Sequence, residues 1–200
     1  MRILGIDPGL TRCGVGVVEV GAARRATFVH AGVIRTPSDA PLDARLLAVS
    51  TGIRALVAEF APDAVAVERV FAQHNLRTVM GTAQASGIAL VVAAEHGLPV
   101  GLHTPSEVKA AITGYGSAQK PQVGAMVMRI LGLDAIPKPA DAADALALAI
   151  CHGWRGAGVG APPAAAARPP ASGLTPAQQA WQAAERSTRS SSAANRRVAS

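Results

Sequence analysis

Apolar positions fall into short unbroken runs near the start of the chain and into helical repeats after residue 40. Residues 2–7 form one such run, Ile3-Leu4-Gly5-Ile6, closed by Asp7 and the turn residues Pro8-Gly9; this is the pattern of a buried strand. Residues 13–20, rich in Val, predict a second strand, residues 21–25 a turn, and residues 26–35 a third strand. Links this short between three successive strands predict an antiparallel meander. From Leu42 to Phe60 the period changes: Leu46, Val49, Ile53, Leu56 and Val57 recur at steps of three and four, which predicts a helix. Pro62 ends it, and Ala64-Val-Ala-Val67 predicts a fourth strand that runs directly into Glu68.

Residues 79–95 read as a long helix with Gly81 and Gly87 as weak points. Residues 99–103 predict a short fifth strand. Thr104-Pro105-Ser106-Glu107 carries the signs of a helix start: a hydroxyl cap, a proline in the first turn and a glutamate in capping-box position. Further helices are expected over about 119–131 and 140–154, separated by Pro137 and Pro139. The sum is an α/β protein with a mixed five-stranded sheet and helices against its faces. The ordered domain is expected to span 1–155. Residues 156–200 open with Gly, Ala and Pro and end in a basic serine-rich stretch; such a composition cannot build a core, and a disordered tail is expected.

Half of the 200 residues are hydrophobic and aromatics make up only 3%, so a core is easily formed but a broad aromatic binding surface is not. The formal charge of +6 favours an anionic partner such as nucleic acid. Much of it lies in the tail: residues 1–155 hold 14 Lys/Arg and 12 Asp/Glu, a net of +2, and residues 156–200 supply the remaining +4. Cys13 and Cys151 show no zinc spacing and read as buried reduced thiols. No apolar run approaches the ~18 residues of a membrane span, and the first residues enter a strand without a signal-peptide core. A cytoplasmic protein without membrane association is expected.

Four acids stand where acids are hard to explain as ordinary surface. Asp7 and Glu68 end apolar strands, and Asp141 and Asp144 open the otherwise apolar stretch 142–150 at a spacing that puts both on one helical face. Each has an ordinary explanation by itself: a turn residue, a strand exit, a helix cap with a favourable dipole. Together they would repel one another unless cations lay between them. Oxygen-only ligands suit two Mg²⁺ ions, with Mn²⁺ able to substitute. Such a pair, ~4 Å apart, supports in-line phosphoryl displacement by water without a side-chain nucleophile. No competing nucleophile is legible: Cys13 lies in a strand and His103 has no evident partner.

These residues also carry a family resemblance. The runs Gly5-Ile-Asp7-Pro-Gly-Leu-Thr-Arg-Cys-Gly14, Val67-Glu68-Arg-Val-Phe71, Gly81-Thr-Ala-Gln84, Thr104-Pro-Ser-Glu-Val-Lys109, Gly116-Ser-Ala-Gln-Lys120 and Ala140-Asp141-Ala-Ala-Asp144-Ala-Leu146 resemble, in order and spacing, the RuvC family of bacterial Holliday-junction resolvases. The resemblance covers about 1–155. It implies an RNase H-like fold and assigns Asp7, Glu68, Asp141 and Asp144 as catalytic, metal-binding acids. It further implies a homodimer that makes two symmetric nicks in a four-way DNA junction during recombination and repair, alongside the RuvA and RuvB branch-migration proteins. Lys109 and Lys120 match basic residues beside the family's site, where they would contact phosphate. Phe71 matches an aromatic placed against junction bases, and Arg77 is expected as a phosphate contact on the same surface.

Three other readings compete. An ATP-binding protein of the sugar-kinase and actin type uses a similar strand–turn acid but needs a second related domain, for which ~150 ordered residues leave no room. A related nuclease could act on another nucleic-acid structure, because fold does not set substrate. A non-catalytic junction-binding module should lack one or more of the acids, and all four are present.

Overall fold

The computed structural model describes residues 1–70 and 76–156. In chain order the elements are β1 (Arg2–Asp7), β2 (Arg12–Val20), β3 (Ala26–Arg35), α1 (Leu42–Phe60), β4 (Ala64–Glu68), α2 (Leu76–Glu95), β5 (Val100–His103), α3 (Pro105–Thr113), α4 (Lys120–Leu131) and α5 (Ala140–Gly156). The strands form one sheet in the order β3-β2-β1-β4-β5. The first three pair antiparallel, as the short links require, and β4 and β5 add in parallel on the other side of β1. The expected tail from residue 157 onward lies outside the described residues.

Local signals account for most boundaries. The α3 start is a complete capping box: Thr104 Oγ1 accepts the Glu107 N–H at 3.2 Å, and Glu107 accepts the Thr104 N–H at 2.8 Å. At the end of α1, Ala61 turns into the left-handed region (φ 42°) directly before Pro62. Gly132 (φ 63°) closes α4 in the same way. The glycines at 81 and 87 do not interrupt α2, because burial of Ala85, Ala89, Val92 and Ala93 outweighs a helical glycine's cost of about 1 kcal/mol.

Each face of the sheet carries its own core. Leu4, Ile6, Val15, Val17, Val65 and Val67 point to α1 and α2, where Val49, Ile53, Ala89 and Val92 meet them. On the opposite face Ile3, Val18, Val20 and Ala66 pack on α5, whose outer side is covered by α3 and α4. From Ala145 to Cys151 every α5 residue is buried, which explains why that helix is apolar all round. Burying Leu146, Leu148 and Ile150 contributes about 2 kcal/mol each.

Glycines let α5 lie directly on the strands. A β-carbon at Gly5 would come within 2.0 Å of the Ala145 carbonyl oxygen, and one at Gly14 within 2.2 Å of the Asp141 carbonyl oxygen. At Gly16 the nearest atom would be the Leu146 nitrogen, at 2.8 Å. With side chains absent at these three positions, helix backbone rests against strand backbone, and the first turns of α5 are held over the carboxyl end of β1.

Candidate active site

β1 and β4 are parallel neighbours in a register that pairs Ile6 with Val67. The next residue of each strand is its acid, so Asp7 and Glu68 emerge side by side at the carboxyl end of the sheet. Asp7 pairs on its other side with Gly14 of β2, the glycine on which Asp141 rests. Asp144 follows one turn later on the same face of α5. Asp7, Glu68 and Asp144 line a cleft of about 210 Å³. Pro105, Val108 and Lys109 of α3, Lys120 and Val123 of α4, and Ala147 and Leu148 of α5 complete its walls.

Asp141 is not among the lining residues. Its Oδ2 accepts two bonds from Arg12, 2.8 Å from Nε and 2.5 Å from Nη2. Asp144 is likewise engaged: Lys120 Nζ donates to its Oδ2 at 2.9 Å. Crowding of like charge shows in the remaining acids. Burial, and then the charges of Glu68, Asp144 and Asp141, push the Asp7 carboxyl up to about 7, with Lys120 opposing. Burial and Asp144 also raise Glu68, against the pull of Lys120 and Lys109. The Lys120 ammonium is raised, chiefly by its bond to Asp144.

The turn carrying Asp7 into β2 is tied down from outside. Buried Thr36 donates its hydroxyl to the Leu10 carbonyl at 2.5 Å, and its N–H to the Thr11 carbonyl at 3.1 Å. Arg45 of α1 bonds the Thr36 hydroxyl at 3.0 Å and the Thr11 hydroxyl at 2.7 Å. Gly9 is needed within the turn, since a β-carbon there would meet the Arg12 carbonyl oxygen at 2.3 Å.

Six of the eight expected site residues are thus placed: the four acids, with Lys109 and Lys120 in the cleft wall. Phe71 lies outside the described residues. Arg77 falls in the first turn of α2, and its side chain is outside the description as well. One expectation is corrected. His103 does have a partner: its Nε2 lies 3.0 Å from Nδ1 of His152 on α5. Burial, then the neighbouring His152, lowers His103 to about 4, and it is not among the residues that line the cleft. Cys13 is buried with its thiol pushed up to about 12, which removes it as a nucleophile.

Arg12 is the site residue that sequence reasoning missed. Its signal was a basic side chain on an exposed position of a strand whose next six residues are all buried, five residues after Asp7.

The donors suit a hard divalent cation: carboxylate oxygens only, no thiolate or imidazole, with burial and then the neighbouring acids raising the Asp7 carboxyl to about 7. Among the described residues no three acid, His or Cys side chains stand close enough together to hold one ion in this conformation. The two α5 acids are instead turned to Arg12 and Lys120. Carboxylate rotamers change more readily than the backbone that brings the four acids together, so the residue set, rather than the rotamers, decides the fit.

Known proteins agree with this geometry. A family model described as crossover junction endodeoxyribonuclease RuvC matches residues 3–152. The crossover junction endodeoxyribonuclease RuvC of Leifsonia xyli subsp. xyli is 66% identical over 207 residues, covering 100% of this chain and 99% of its own length. That of Streptomyces griseus subsp. griseus is 70% identical over 155 residues, 78% of this chain and 76% of the relative. Among solved structures, T. thermophilus RuvC in complex with Holliday junction substrate superposes with a TM-score of 0.75 at 38% identity. That alignment covers 78% of this chain and 95% of the other. The five-stranded mixed sheet with helices on both faces is therefore the RNase H-like resolvase fold. By its sequence along nearly its whole folded part and by its architecture, the chain belongs to the RuvC family of crossover junction endodeoxyribonucleases.

Proposed function

We propose that this protein is a structure-selective endonuclease that resolves four-way DNA junctions by hydrolysing one phosphodiester in each of two opposed strands. The observation that carries the reading is the meeting of Asp7, Glu68 and Asp144 with Lys109 and Lys120 in one cleft, with Asp141 one turn away. The T. thermophilus relative was solved with a Holliday junction as its substrate.

Asp7, Glu68, Asp141 and Asp144 would hold two Mg²⁺ per subunit, with Mn²⁺ as a substitute. When bound, the ions supply an activated water for in-line attack and stabilise the departing 3′-oxygen. The chain's own groups do the rest. Lys109 and Lys120 draw the scissile phosphate to the acids, and Lys120 offsets charge that grows on the phosphorus oxygens. Pro105, Val108 and Val123 give the cleft an apolar wall on the side of α3 and α4. Phe71 stacks on an unpaired junction base, and Arg77 holds a nearby phosphate.

A homodimer fits the task, because a twofold pair of sites matches the near-twofold symmetry of a junction. RuvA and RuvB are the proposed partners in branch migration, and the cytoplasm the proposed location. Among the described residues no helix is long and apolar enough to cross a membrane. The presence of all four acids favours this reading over a non-catalytic junction-binding module.

The test offers a synthetic four-way junction and a linear duplex of the same sequences, each with Mg²⁺ and with EDTA. Paired, symmetric nicks in the junction alone, and only with Mg²⁺, are expected on a sequencing gel. Equal cutting of junction and duplex would refute structure selectivity, and cutting in EDTA would refute the metal requirement.

A further inference from the structure

Both acids of α5 are neutralised by side chains from other elements. Lys120 of α4 holds Asp144, and Arg12 of β2 holds Asp141. The Arg12 pair has a consequence for how the site is loaded. The Arg12 backbone is fixed: it pairs with Arg35 of β3 and follows the turn that Thr36 and Arg45 tie down. Its side chain is 40% exposed, so it can swing without disturbing the core. Both of its donors converge on a single oxygen, Asp141 Oδ2. Oδ2 is thereby taken, which leaves Oδ1 alone for a cation and sets the guanidinium's positive charge against any ion that approaches the same carboxylate.

We infer that Arg12 competes with the divalent cation for Asp141, and that it is released to a DNA phosphate when the junction docks, so that metal and junction load together. The inference rests on the metal-dependent reading above. A guanidinium freed beside a phosphodiester finds a planar anionic partner as good as the carboxylate it leaves. The cation in turn finds an acid no longer paired. Without DNA the pair holds Asp141 Oδ2 and repels the cation, which weakens metal uptake; with DNA the two ligands help one another, as linkage requires.

The test uses the full chain as wild type, Arg12→Gln and Arg12→Lys, with circular dichroism to show that each is folded. Mn²⁺ uptake without DNA is followed by calorimetry and by loss of the free-ion paramagnetic resonance signal. Because the pair is partly exposed, a modest effect is expected: Arg12→Gln binds Mn²⁺ roughly three- to tenfold tighter than wild type. Arg12→Lys, with one donor group in place of a fork, falls between them. Junction binding is then measured against salt concentration with Ca²⁺ present, and the log–log slope of Arg12→Gln is expected to be shallower by about one.

Unchanged or weaker Mn²⁺ uptake by folded Arg12→Gln overturns the competition. An unchanged salt slope overturns the transfer to phosphate. If wild type and both variants take up no Mn²⁺ at all, the metal reading itself falls, a result distinct from either of these.

Discussion

Asp7→Asn is expected to abolish junction cleavage while leaving junction affinity within about threefold of wild type, and to make the metal-free protein more stable. The first effect follows from position. Asp7 lies between Glu68 and the α5 acids, and the variant keeps its shape but loses the charge that a cation needs. A fall of at least ~10³-fold in cleavage corresponds to about 4 kcal/mol of transition-state stabilisation. On the proposed reading, junction affinity rests on Lys109, Lys120 and the DNA-facing surface, which the change leaves intact.

The second effect has a definite sign and pH window. The Asp7 carboxyl stands at about 7 in the folded protein, against 3.8 as its ordinary value. Between those values the folded chain binds the proton more tightly than the unfolded chain, so stability falls as pH rises from about 4 to about 7. Above 7 the whole penalty of a buried, crowded carboxylate is present. Asparagine removes it, so in EDTA at pH 8 the variant should be more stable than wild type by about 1–3 kcal/mol. The difference should vanish below about pH 4, where both side chains are neutral. Saturating Mg²⁺ should reduce or reverse it, because the cation stabilises only the protein that binds it. Thermal melts across this pH range decide the matter; a less stable Asp7→Asn at pH 8 in EDTA would show that Asp7 is not held among uncompensated charges.

The same crowding explains why the acids could be read from the chain before any coordinates. A strand of four apolar residues that ends in a carboxylate is locally anomalous, and Asp7 and Glu68 both show that anomaly. Asp141 and Asp144 show it at helical spacing. The antiparallel meander was equally local, because it follows from link length. The alternation of strand and helix after residue 40 predicted a mixed sheet, but not that β4 lies beside β1, the neighbour relation that brings Asp7 next to Glu68; parallel pairing leaves no local mark. Arg12 was hidden for a different reason. Its value depends on α5 lying over β2, and that depends on glycines which in sequence read as part of a motif rather than as a packing surface. The His103–His152 contact was hidden in the same way: it joins residues 49 apart through the packing of α5 on β5.

Those glycines lead to the second large expected effect: Gly14→Ala should cost roughly 10²-fold in cleavage although it changes no acid and no cation. Its backbone is that of an ordinary strand residue, so alanine is conformationally allowed and the damage is steric. The new methyl would lie 2.2 Å from the Asp141 carbonyl oxygen and 3.0 Å from the Asp141 β-carbon. An ordinary C···O contact is about 3.3 Å, so the start of α5 must lift by roughly 1 Å. Both α5 acids ride on that turn, while Asp7 and Glu68 stay with the sheet; if the four act together as proposed, a shift of that size between them costs about 10²-fold. Overpacking should also lower stability by about 1–3 kcal/mol. Gly21→Ala is the control. It sits in an extended turn (φ −100°) with open space around its added methyl, and it should cleave and melt like wild type. Cleavage rates under saturating junction, with binding measured separately, distinguish displacement of the acids from loss of DNA. If Gly14→Ala cleaved at the wild-type rate, contact between β2 and α5 would not be what sets the distance between the strand acids and the helix acids.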